Sequence, residues 1–254
     1  MAYRSLAEPQ TAPVHDQLCL FGGPYVVHAG RTLTVPEGSK RMLVYIALRE
    51  GRLERRHVAG TLWPHGDDDR AAGNLRSALW RLKKAGIDTV EADKFAVWLR
   101  PGTLTDIAAL NQWAARLIGG VATPADLRQR RWDAFALDLL PGWYDDWVIV
   151  ERERLRQRLL HALEELSRQL VRQGRCAEAV DVATEAAGVE PLRESAQRVL
   201  VEAHIAEGNV VEARRVYAGF RQLLRRELGI EPGAYLTHLV VAARTPLDPV
   251  VVRS

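Results

Sequence analysis

Apolar positions in the first hundred residues change their period twice. "LCLFGG", "PYVVHAG" and "RTLTV" are short, β-branched runs separated by Gly-Gly-Pro and Ala-Gly-Arg, which predicts a small antiparallel sheet. The rhythm then lengthens. In "SKRMLVYIALREG" the residues Leu43, Ile46 and Ala47 recur at helical spacing, with Ser39 placed to cap the helix and Gly51 to stop it. "RRHVAGTLWP" predicts a second short helix ended by Pro64. A third opens at "HGDDDRAAGN" and runs to Gly86. "TVEADKFAVWL" alternates as two strands around a turn at Ala92 and Asp93, and Pro101-Gly102 breaks the chain. Sheet, three helices and hairpin, in that order, describe a winged helix with an extra amino-terminal sheet.

From Asp106 onward the strand signals vanish. "GRCAEA" (Gly174 to Ala179) returns 34 residues later as "GNVVEA" (Gly208 to Ala213). That is the period of a tetratricopeptide helix pair, a unit that buries its apolar face only against its neighbours. "GVEP" (Gly188 to Pro191) and "GIEP" (Gly229 to Pro232) lie 41 residues apart, so the later helix is expected to be about two turns longer. "DDWVIVERERLRQRLLHALEELSRQLVRQG" can form one helix of about 28 residues, or about 42 Å. Its alternating charges between Glu151 and Arg158 fit a solvated face with i,i+4 pairs.

The third helix of the first half has two distinct faces. With Leu75 at zero and about 100° per residue, Leu79 falls near 40°, Leu82 near −20°, Ala71 near −40° and Ala78 near −60°. This is the core seam. Gly73, Ser77, Trp80, Lys84 and Arg70 fall between about 140° and 220°, flanked by Arg76 and Arg81. The major groove of B-DNA admits one helix, and arginine there pairs bidentately with guanine. A cationic face carrying an outward tryptophan and a glycine that permits close approach suits that groove. Packing of Trp80 against the hairpin or the second domain, with the Arg/Lys positions only a solvated face, is the alternative.

Charge sharpens this reading. Residues 17–105 hold 10 Arg and 4 Lys against 9 acids, a net of +5. Residues 106–254 hold 20 Arg against 21 acids, a net of −1, and all four lysines (Lys40, Lys83, Lys84, Lys94) lie in the first half. Only the first half is therefore suited to a polyanion. Asp67, Asp68 and Asp69 beside His65 are read as caps complementing the helix dipole, not as a metal site. The other histidines lack ligand spacing, Ser77 has no partnered base and no phosphate loop is present, so neither a cofactor nor an enzymatic activity is expected. Cys19 and Cys176 are read as reduced thiols. No apolar run reaches eighteen residues and the first residues lack a signal-peptide core, which points to a cytoplasmic protein.

"VAGTLWPHGDDDRAAGNLRSALWRLKK" resembles the helix–loop–recognition-helix core of the Streptomyces antibiotic regulatory protein (SARP) family. "LLPGWYDDWVIVERERLRQRLLHALEEL" and "GNVVEARRVYAGFRQLLRRELGIEPGAYLTHL" are similar to the start and the closing repeat of that family's bacterial transcriptional activator domain. The resemblance implies a mostly α protein. An α+β, OmpR-type winged-helix domain with a small amino-terminal antiparallel sheet and a carboxy-terminal hairpin wing precedes an all-α, tetratricopeptide-like solenoid. The expected divisions are a flexible leader (1–16), the winged helix (17–104), the activator domain (105–246) and a flexible tail (247–254).

By the same resemblance the chain is a nucleoid-associated transcriptional activator. The resemblance implies that it binds double-stranded promoter DNA at direct repeats, as a homodimer on DNA, and recruits RNA polymerase holoenzyme, often for secondary-metabolite genes. Arg70, Asn74, Arg76, Ser77, Trp80, Arg81 and Lys84 are the implied recognition-helix contacts, with Lys40, Arg56, Lys83 and Lys94 on backbone or wing. The wing departs from the family: "EADKFAVWL" carries Glu91 and Asp93 where a Gly-Tyr and a basic residue are common. The rival reading is a tetratricopeptide-like adaptor or ligand sensor whose winged helix mediates protein contacts.

Overall fold

The computed structural model describes residues 16–49, 51–128 and 139–243. The expected tail, and the expected leader apart from Asp16, lie outside them. In chain order the elements are β1 (Gln17–Cys19), β2 (Tyr25–His28), β3 (Arg31–Thr34), α1 (Glu37–Ala47), β4 (Leu53–Glu54), α2 (Arg55–Leu62) and α3 (Asp68–Lys84). Then come β5 (Val90–Ala92), β6 (Ala96–Leu99), β7 (Leu104–Thr105), α4 (Asp106–Ile118), α5 (Asp146–Arg172), α6 (Cys176–Val189), α7 (Glu194–Ala206), α8 (Val210–Leu228) and α9 (Ala234–Ala242). The described residues divide into two compact units, those within 1–109 and 138–151 and those within 110–137 and 152–254.

In the first unit β1, β2 and β3 form the expected antiparallel meander, with Gln17 opposite Val27 and Val26 opposite Leu33. The sheet is nevertheless mixed. β7 pairs with β1 in parallel, Gln17 beside Leu104, because the chain returns to this sheet only after three helices and a hairpin. A half-buried Asp106 carboxylate fastens the return by accepting the N–H groups of Leu20 and Phe21 at 2.7 and 2.9 Å. Burial pushes its pKa up. β4, β6 and β5 form the second sheet, all antiparallel, so the wing is three-stranded at its base. The wing turn occupies residues 93–95, one position beyond the predicted one.

Two helix details differ from the sequence reading. α1 starts at Glu37 behind Pro36, so Ser39 is not its cap. Ser39 is fully buried instead, and its hydroxyl donates to the Ala78 carbonyl of α3 at 2.8 Å. α1 ends at Ala47, one turn before Gly51. Residues 139–151 lie in the first compact unit. There Leu140 N–H donates to the Leu20 carbonyl at 3.2 Å, and Trp147 meets the Tyr45 ring edge-on at 5.4 Å.

The second unit is an array of helices in which α6, α7, α8 and α9 pack each against the next. Its repeat is structurally real. Gly174 and Gly208 both take the left-handed backbone (φ 74° and 85°) that closes a helix tightly. Ala179 and Ala213, 34 residues apart, are buried to 0% and 1% exposure. Ser167 of α5 uses the close approach to donate to the Ala179 carbonyl at 2.9 Å. The closing repeat buries Val201, Phe220, Leu224, Leu236 and Val240. α8 has 19 residues against 14 in α6, a difference of five, or about one and a half turns. The "GVEP" echo overestimates this because Gly188 lies inside α6 whereas Gly229 follows α8 in the left-handed conformation.

The charged run in α5 does more than face water. Arg156 pairs with Glu153 one turn before it and also with Glu190 after α6. Deeper in the unit, Glu164 accepts from Arg193 at 2.6 Å and from Ser195 at 2.7 Å. A buried carboxylate is tolerated only with such partners.

Candidate nucleic-acid interface

α3 is held by both its ends and one face. Asp67 is the N-cap, its carboxylate accepting the Arg70 N–H at 2.7 Å. Asp68 and Asp69 follow in the first turn, and Arg81, Lys83 and Lys84 lie in the last, the arrangement that the helix dipole favours at each end. The three aspartates are thus part of the helix start, as expected. Ala71, Leu75, Ala78 and Leu82 are buried and Leu79 half-buried, which is the seam that the wheel placed inward.

On the other side Arg70, Arg76, Ser77, Trp80, Lys83 and Lys84 are exposed. Trp80 keeps 60% of its surface accessible, with the Lys84 ammonium 4.9 Å from its ring. Gly73 has room around it: an added Cβ would meet only the Arg76 guanidinium, at 3.7 Å. A glycine inside a helix costs about 1 kcal/mol relative to alanine, and no neighbour in this unit requires it.

Three residues of the expected DNA-contacting set, Asn74 and Arg81 on the recognition helix and Lys40 on the backbone side, are half-buried or engaged within the unit. Asn74 is half-buried. Arg81 is exposed, but its guanidinium donates to the Gly38 carbonyl of α1 at 3.2 Å and occupies the space that a Cβ on Gly38 would need. Lys40 is half-buried and pairs with Glu37 at 2.6 Å. Arg56 on α2 and Lys94 at the hairpin turn are exposed.

A cleft of about 450 Å³ separates α3 from the hairpin, lined by Trp80, Lys83, Val90, Glu91, Trp98 and Arg100 among others. Trp80 therefore stands at the rim of a cleft and does not pack under the wing. The sequence pointed to Glu91, Asp93 and Lys94 in the hairpin but not to the partners Arg52, Trp98 and Arg100. Arg52 lies 3.8 Å over the Trp98 ring and pairs with Asp93. Arg100 pairs with Asp88 at 2.6 Å and with Glu91 at 3.2 Å. The Asp93 carboxylate accepts the N–H groups of Phe95 and Ala96 at 2.8 and 2.7 Å. These bonds, with Arg52 beside them, hold its carboxyl below the usual aspartate range. An aspartate opening a short turn between two alternating runs was the available signal.

Residues 107–243 match the family model of the bacterial transcriptional activator domain. The chain belongs to that family. Within it the chain is of the SARP type that its motifs resemble. It is 32% identical over 221 residues to the regulatory protein AfsR of Streptomyces coelicolor, across 83% of this chain and 22% of the relative. The AfsR of Streptomyces griseus is 31% identical over 218 residues, across 79% and 21%. The chain thus spans about a fifth of the length of the curated relatives it matches. Its fold is similar to that of Mycobacterium tuberculosis EmbR, solved in complex with a low affinity phosphopeptide. The TM-score is 0.71 at 18% identity, covering 92% of this chain and 67% of EmbR. A winged helix followed by a tetratricopeptide-like array is therefore the architecture of this family member.

Proposed function

We propose that the chain is a sequence-specific, DNA-binding regulator of transcription. It acts as an activator that binds direct repeats upstream of promoters, two copies side by side, and recruits RNA polymerase holoenzyme. Secondary-metabolite genes are its targets and the nucleoid its place of work. One observation carries the reading: the face of α3 opposite the buried seam leaves Arg70, Arg76, Ser77, Trp80 and Lys84 open to solvent. Cations on that face neutralise phosphates and release counterions. Arg76 and Ser77 supply the donors that read base edges, and Trp80 offers an apolar surface to a thymine methyl or a sugar. The helical array presents the surface for polymerase and for the second copy. No described helix is long and apolar enough to cross a membrane.

A mobility-shift titration with fragments from upstream of the neighbouring genes tests this. Retardation of one fragment that the same unlabelled fragment, but not unrelated DNA, competes away, and that is lost steeply as salt rises, is the expected result. Equal, weak retardation of every fragment, or none at all, would overturn the reading in favour of the adaptor.

A further inference from the structure

The tip of the β5–β6 hairpin joins an exposed apolar ring to a firmly tied backbone. Phe95 keeps 70% of its surface accessible, while Ala96 and Val97, next in the chain, are buried. The turn beneath it is fixed from several sides. The Asp93 carboxylate accepts the N–H groups of Phe95 and Ala96. The Asp93 carbonyl accepts from the Arg55 guanidinium at 3.2 Å. Arg52 pairs with the same carboxylate and stacks on Trp98 in β6. A phenylalanine on a slack loop folds back onto its own hairpin to escape water; this one is held outward.

The acids near the tip are engaged by arginines, Asp93 by Arg52 and Glu91 by an Arg100 that it shares with Asp88. Glu91 and Asp93 alone would repel phosphates. Glu91, however, accepts the Trp98 indole N–H at 3.1 Å and lies 3.2 Å from Arg100, and Asp93 is paired with Arg52. Lys94 stays exposed, its ammonium 5.5 Å from the Phe95 ring. Val90, Glu91, Ala92, Trp98 and Arg100 of the hairpin also form one wall of the cleft whose other wall is α3, so the strands that carry this tip run beside that helix. An apolar ring beside a free cation on a narrow ribbon has the chemistry of a minor-groove wedge. The cation meets the groove's negative potential and the ring enters a partly unstacked base step.

We propose that Phe95 is an apolar wedge that the hairpin tip sets into the minor groove, giving the chain a preference for easily unstacked pyrimidine–purine steps at a fixed distance from the bases met by α3. The proposal rests on the DNA-binding reading above. It is tested by parallel selection from a random-sequence duplex library, using the full chain, Phe95→Ala and Phe95→Trp. The wild-type chain is expected to enrich a motif with a TA or CA/TG step at constant spacing. Phe95→Ala should enrich the same motif without the step and bind the wild-type site weaker on the order of tenfold, whereas Phe95→Trp retains the step. Because Phe95 is exposed, Phe95→Ala should melt at the wild-type temperature. An identical motif and step from wild type and Phe95→Ala would overturn the wedge alone. No enriched motif from the wild type would overturn the DNA-binding reading, and the wedge with it.

Discussion

Replacing Leu75 or Trp80 by alanine, one at a time, separates the two faces of α3. Leu75 is 1% exposed, so Leu75→Ala leaves a cavity and costs about 3 kcal/mol, within the range for buried leucines. At roughly 2–4 °C per kcal/mol the melting temperature falls by roughly 6–12 °C. Trp80 is 60% exposed, with the Lys84 ammonium over its ring. An exposed cation–π contact contributes about 0.5–1 kcal/mol, and alanine returns about half a kcal/mol of helix propensity. Trp80→Ala should therefore leave stability within about 0.5 kcal/mol of the wild type. DNA affinity should respond in the opposite sense, Trp80→Ala losing about 1–2 kcal/mol of contact with base or sugar. Scanning calorimetry of the full chain and an anisotropy titration on a selected duplex measure both quantities. A melting temperature lowered as much by Trp80→Ala as by Leu75→Ala would refute the assignment of faces.

Gly73→Ala should stabilise the chain by about 0.5–1 kcal/mol yet weaken DNA binding, because the methyl group occupies the space left for the duplex; calorimetry and titration together check this. At the hairpin, Asp93 has a carboxyl held below the usual range chiefly by the Ala96 N–H, then by those of Phe95 and Arg52. Its stabilisation is thus complete above the ordinary aspartate pKa near 4 and disappears as pH falls through the lowered native value. Asp93→Asn should accordingly speed amide exchange at Phe95 and Ala96 at neutral pH and abolish its acid dependence. In the helical array, Glu164→Ala strands Arg193, whose side chain is 15% exposed, and should cost about 3–5 kcal/mol in chemical denaturation; a change below about 1 kcal/mol would mean that the pair is not structurally important.

The elements that were legible in the sequence are those whose signal is local. Seam residues Leu75, Ala78 and Leu82 announce α3 by spacing, and Gly174 and Gly208 announce the repeat because each closes a turn by its own backbone conformation. What depended on distant partners was not legible. Ser39 has the residue type of a cap, but its hydroxyl finds a carbonyl on α3, 39 positions away. Leu104 and Thr105 are too short a run to read as a strand, and pair where the Leu104 N–H donates to the Asp16 carbonyl and Asp106 ties the chain to Leu20. Likewise, the groove-facing set was read from angle alone. Angle does not reveal that Gly38 offers Arg81 a carbonyl, nor that arginines at 52 and 100 compensate the acids of the wing.

Binding of duplex DNA by the polar face of α3 is tested most directly by the salt dependence of affinity. A selected duplex would be titrated from low to moderate salt with the wild type and with the Arg70→Ala/Arg76→Ala/Lys84→Ala variant. Each phosphate contact contributes about 0.9 to the slope of log affinity against log salt. The triple variant should thus bind far more weakly and with a slope shallower by about 2–3. Equal affinity and equal slope for the two proteins would contradict the account.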